Sequence, residues 1–155
     1  MTSGENWWFQ QHWSDFRHGD GEVHVRWSGG NAKARLYTGG VPTTAAGFQQ
    51  ALPLEADVVH VAWSGEMVMA TERFTFGPTH AENDVRLVRP GDLTWDAKYG
   101  ELGVVYGTAE CRLPSGPNCV TVFGSVFENA EGLAAFCRAR RFEGLGRLHF
   151  EAGSS

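Results

Sequence analysis

Glutamates and their neighbours are the residues of this chain most able to do chemistry. Glu66 follows Trp63 by three positions in the segment ADVVHVAWSGEMVMA, Ala56 to Ala70. A carboxylate beside an indole can hold a cationic or hydrogen-bonding ligand, or act as a base once burial raises its pKa. Its bland alternative is a rim glutamate that simply stays wet. A second set joins Glu82 and Asn83 to Glu101, from separate segments. Two converging carboxylates and an amide would divide into one ionised and one protonated acid. Here the alternative is a polar loop plus a strand-start glutamate. Tyr106 and Asn118 can add hydrogen bonds to the same pocket. Glu66 and Glu101 are therefore the expected catalytic pair, with Trp63, Glu82, Asn83, Tyr106 and Asn118 expected to bind ligand.

Three further positions complete the set. His60 shares its face with Met67 and Met69, and is either a ligand-binding residue or a core histidine with one satisfied hydrogen bond. Arg73 is assigned to the ligand; with Arg86 it brackets a polar loop, where both can equally pair with Glu82 and Asp84. Asp92, after Pro90-Gly91, reads as a turn residue bonding its own backbone. Cys111, Cys119 and Cys137 match no zinc spacing, and no phosphate-binding glycine loop, nucleophile elbow or metal cluster occurs. No metal or cofactor is expected.

The elements that must position these groups are mostly strands. Val58, Val59, Val61 and Trp63 form one arm of a hairpin, Ser64-Gly65 its turn and Glu66 to Met69 the other arm. That turn pairs Trp63 with Glu66, Val61 with Val68 and His60 with Met69. Val23, Val25 and Trp27 alternate with polar residues from Gly21, and Ala32 to Tyr37 answers them across a glycine turn. Val41, Ala45, Phe48 and Leu52 mark one helical face behind Pro42, and Pro53 stops it. Leu93 to Trp95, Glu101 to Tyr106 and Val120 to Phe127 read as strands, and Thr108 to Asn118 as a surface loop. Asn129 caps a helix from Ala130 to Arg140 that buries Leu133, Phe136 and Cys137. Leu148 and Phe150 end the chain as an inward-facing strand. Two short helices on a mainly β chain predict a closed antiparallel barrel whose open ends the helices cover.

A length of 155 residues fits one such domain, spanning 21–155. Residues 1–20 form an extension rich in aromatics, with Trp7, Trp8, Phe9, Trp13 and Phe16. So many large rings either cover an open side of the domain or dock on a neighbouring subunit, so a homo-oligomer is expected. The net charge of −5 and the lack of a basic stripe argue against nucleic acid as a partner. No apolar run is long enough for a signal peptide or a membrane span, so a cytoplasmic protein is expected.

Leu36 to Phe48, with Val41-Pro42-Thr43-Thr44 opening a helix, resembles the first strand-to-helix passage of cyclophilins. Three segments resemble, more closely, a family of small bacterial cyclophilin-like proteins of unknown function. They are Leu52-Pro53-Leu54-Glu55 with His60 to Glu66, Glu82-Asn83 with Arg89-Pro90-Gly91-Asp92-Leu93, and Glu101 through Gly107. The resemblance implies a closed cyclophilin-like β-barrel. Active cyclophilins carry a catalytic arginine in a Phe-His-Arg strand, where this chain reads His60-Val61-Ala62-Trp63. The cation that would stabilise a twisted prolyl amide is missing there.

The leading expectation is a protein that binds, and in an enzyme version converts, a small polar metabolite at the barrel mouth. A non-catalytic oligomeric interaction module is the second, and a weak peptidyl-prolyl isomerase the third.

Overall fold

The structure, a computed structural model, describes residues 17–37 and 39–153. The aromatic residues of the N-terminal extension lie outside the described residues. Eight strands close into an antiparallel barrel: β1 (His18–Trp27), β2 (Gly30–Tyr37), β3 (Leu54–His60), β4 (Gly65–Ala70), β5 (Asp92–Asp96), β6 (Glu101–Ala109), β9 (Thr121–Glu128) and β10 (Gly146–Ala152). Around the ring they run β1-β10-β3-β4-β6-β5-β9-β2. A two-residue ribbon, β7 (Arg112–Leu113) with β8 (Gly116–Pro117), lies inside the stretch expected to be all loop. The fold is thus mainly β with two helices, α1 (Pro42–Ala51) and α2 (Ala130–Glu143).

Pairing fixes which side chains face inward. Val68, Val104 and Leu93 are opposed across β4, β6 and β5, and Trp95 opposes Leu102 next along. All are buried. Trp95 also packs on Phe76, which belongs to an aromatic cluster with Phe48, Phe123 and Phe150, so this set faces the barrel interior. Because strand neighbours alternate, Met67, Met69, Gly103 and Thr94 face outward.

Both helices close the barrel. Phe48, fully buried on α1, inserts among Phe76, Phe123 and Phe150. Helix α2 packs against β2, β3, β4 and β6, strands on separate arcs of the ring, as an element lying across an open end must. It buries Leu133 and Cys137, and Asn129 caps it by accepting from the Gly132 amide. Phe136, expected inside, is half-buried and packs on Trp27.

One local expectation is corrected. In the central hairpin His60 opposes Val68, and Val59 opposes Met69, one residue away from the register of a two-residue turn. The chain turns over Ala62 to Ser64 instead. Tertiary bonds explain it. The Ser64 carbonyl accepts from the Glu110 amide, and its hydroxyl exchanges hydrogen bonds with the Arg112 backbone. Ser64 is thereby committed to the incoming 110–112 segment and cannot form the tight corner. A one-residue slip exchanges partner faces. His60 joins Val68, and Val61 joins Met67, whose carbonyl accepts from its amide.

Candidate functional site

The outer face of β4, β6 and β5 is crossed by the chain from Glu110 to Val120, which leaves a small open cleft of about 40 Å³. Val61, Met67, Met69 and Gly103 give it an apolar floor, and Trp63, 43% exposed, stands at its rim. Ser64, Thr94, Asp96, Glu101, Arg112 and Asn118 supply its polar groups.

Asp96 and Glu101 end β5 and begin β6, and they are directly opposed in the pairing. Directly opposed residues have Cβ atoms about 4.5–5.5 Å apart, so two carboxylates share one small region. Their environments differ. Asp96 is buried, Oδ2 accepts from Asn118 Nδ2 at 2.8 Å, and Oδ1 accepts from the Lys98 amide at 2.9 Å. Lys98 Nζ lies 3.6 Å from Oδ1. Glu101 is half-buried, and among the described residues its carboxylate has no hydrogen-bond donor. Burial raises its pKa above the ordinary carboxylate value; Asp96 adds to the rise and Arg73 opposes it. A fixed carboxylate beside one whose proton affinity is raised above the ordinary value is an arrangement suited to proton exchange.

Of the residues singled out in the sequence, the fold brings Trp63, Glu101 and Asn118 together here. Arg73 acts on Glu101 electrostatically but lines a separate crevice with Trp95 and Tyr99. Glu66 lies elsewhere, because the register slip sets it with His60. Glu66 Oε1 accepts from the Thr108 amide at 2.9 Å, and Oε2 faces Arg138 and Arg141 of α2 at 3.7 and 3.9 Å. Arg141 Nε also donates to the Tyr106 hydroxyl at 3.0 Å. His60 is beside this group, its pKa lowered by burial and by Arg141. These residues fasten α2 to the barrel end.

Glu82 and Asn83 have a third place. Glu82 accepts from the amides of Thr43 and Thr44 at 3.3 and 2.6 Å, capping the start of α1. Asn83 makes a paired bond with the Val122 backbone, donating to its carbonyl and accepting from its amide. The convergence of Glu82, Asn83 and Glu101 expected from the sequence is not formed. Arg86 pairs with Glu110 instead of Glu82 or Asp84. Asp92 does bond its own turn, accepting from the Arg89 amide at 2.8 Å.

Sequence reading passed over Asp96 and Thr94. A signal existed: Trp95-Asp96 and Gly100-Glu101 flank a short turn, and hairpin pairing across it opposes the two acids. Cys111 also lines the cleft; burial pushes its thiol up to about 12, which keeps it neutral. Cys137 is pushed up to about 12 in the same way, as a buried helix residue. Among the described residues no group of three or more histidines, cysteines or acids is placed to hold a metal.

A family model described as "Protein of unknown function (DUF3830)" matches residues 23–151. The chain belongs to the DUF3830 family. No curated protein matches it. Among solved structures it is similar to the hypothetical protein AF2241 from Archaeoglobus fulgidus, at 14% identity and a TM-score of 0.58, covering 88% of this chain and 98% of that one. It is also similar to McbB, solved in complex with tryptophan, at 15% identity and a TM-score of 0.67. That match covers 86% of this chain but 45% of McbB. At such identities the likeness shows a shared fold. No helix among the described residues is long and apolar enough to cross a membrane.

Proposed function

We propose that this DUF3830 protein binds a small polar molecule in the cleft beside β5 and β6, with Glu101 exchanging a proton with it while Asp96 is held in place. The observation that carries the reading is the asymmetry of the opposed carboxylates: Asp96 has fixed donors, and Glu101 has none among the described residues. Trp63 forms the rim against which a ligand's flat or apolar part would lie. Binding comes first in this reading, and turnover is its enzyme version. A cyclophilin-like form of the barrel and a cytoplasmic location belong to the same proposal, on the sequence resemblance and the absence of a long apolar run.

A thermal-shift screen against small amines, carboxylic acids and amides tests it. A ligand at 100 times its Kd adds about 2.7 kcal/mol to stability. A hit lost in Glu101→Gln but kept in Glu66→Gln supports the cleft. A flat screen, or a hit indifferent to Glu101, would remove it.

A specific observation favours a second reading as an interaction module. Phe142 is 87% exposed and Leu145 55%, together at the C-terminal end of α2. Large exposed apolar neighbours mark contact surfaces. Sedimentation at rising concentration separates the readings: a dimer lost in Phe142→Ser with an empty ligand screen favours the module.

A further inference from the structure

We infer that the polar part of the cleft receives a protonated nitrogen, so that the bound molecule is a small organic ammonium whose carbon chain lies along Trp63 and the apolar floor. This rests on the cleft being a ligand site, and names the chemistry of what enters it.

The polar lining is complementary to a hydrogen-bond donor. Asn118, 8% exposed, must direct its amide nitrogen at Asp96 Oδ2, because a carboxylate only accepts. Its Oδ1 is thereby turned away from Asp96, and no described group donates to it. Thr94 is 1% exposed, and its hydroxyl makes no hydrogen bond with a described residue. A Cβ on Gly103 would lie 2.5 Å from Thr94 Oγ1 and 2.9 Å from Met67 Cε, so this hydroxyl and the floor meet only because residue 103 has no side chain. Glu101 has no donor, and Asp96 has lone pairs left. The cleft is therefore lined with acceptors to which no described group donates.

Most nearby donors are engaged, the Arg112 guanidinium only in part. The Ser64 hydroxyl is bonded to the Arg112 backbone. Arg112 lines the cleft, but its NH1 lies 3.5 Å from Glu110 Oε2. Lys98 and Arg73 act on Asp96 and Glu101 without lining the cleft, and the Cys111 thiol is neutral. An ammonium brings three N–H donors and one positive charge to this set. An anion would meet two carboxylates against one arginine that already faces Glu110. The indole at the rim suits a cation as well.

Calorimetric titration of the full chain with butylammonium, butyramide and butyrate, which share a four-carbon chain, tests the inference. Butylammonium is expected to bind at least tenfold tighter than either other probe. Glu101→Gln should weaken it tenfold or more, and Thr94→Val several-fold, with Tm little changed in the glutamine variant. Affinity should rise with pH as Glu101 loses its proton, and binding should release protons to the buffer where Glu101 is still protonated. Butyramide or butyrate binding equally well, or ammonium binding indifferent to both substitutions, overturns the inference while leaving a ligand cleft in place. Silence of all three probes together with an empty broad screen overturns the cleft itself.

Discussion

Glu66 and Glu101 sit on neighbouring strands of one sheet, and the barrel treats them in opposite ways. Glu66 accepts a backbone amide and faces two arginines of α2. Glu101 faces another carboxylate and has no hydrogen-bond donor among the described residues. The first is a fastening between helix and barrel, complete within the chain. The second is incomplete, and burial works against its charge. A carboxylate's capacity for chemistry thus follows from what its surroundings leave unsatisfied, more than from its place beside an aromatic residue or a turn.

The comparison can be broken at its strongest point by removing what holds Asp96. Asn118→Leu leaves a buried carboxylate oxygen without its donor and should cost roughly 3–4 kcal/mol. Chemical denaturation would show it, and a loss under 1 kcal/mol would mean that Asp96 is not fixed by Asn118. A third carboxylate extends the test. Asp92, at the other end of β5, is lifted by burial from an ordinary 3.8 to about 6, against the nearby Arg89. The folded state therefore binds this proton more tightly than the unfolded state. Its contribution to stability is present below pH 4 and is lost as pH rises through 6, by up to about 3 kcal/mol at 1.36 kcal/mol per pH unit. Asp92→Asn should flatten that part of the stability profile; an unchanged slope would assign it to another group.

Smaller effects sharpen the contrast between the two glutamates. Glu66→Gln removes the charge facing Arg138 and Arg141 and should lower stability by about 1 kcal/mol, less in high salt. Glu101→Gln removes one of two opposed like charges, so stability should hold or rise, within about 0.5 kcal/mol. Paired melting curves of the two variants check this directly. Equal losses would erase the distinction on which the proposed site stands.

Much of the architecture was legible because it rests on periodicity. Val23-Val25-Trp27 against polar partners, the face of Val41, Ala45 and Phe48, and the run from Val120 to Phe127 each carry their element in the local pattern. Asn129 as a cap and Asp92 as a turn residue were readable for the same reason: their partners lie three positions away. The candidate site was legible only in part. Trp63, Glu101 and Asn118 were identified, but their association with Glu66 depended on a register that local turn chemistry suggested and Ser64's distant bonds overruled. Glu82 looked like a free acid because its partners, the Thr43 and Thr44 amides, lie 39 and 38 positions away. Thr94 carried no mark at all, since a threonine in a strand is ordinary until its surroundings are known.

The cap that Glu82 places on α1 sets an order of assembly. A ten-residue helix is too short to persist alone in water. Its first amides are held by a loop residue that arrives only after β3 and β4 have been passed. Phe48 rides on that helix into the aromatic cluster of the barrel. The loop around Glu82 therefore acts as a latch on the plug of the barrel: amide exchange at Thr43 and Thr44 reports whether it is shut, and a chain that opens there loosens its interior without parting a single strand.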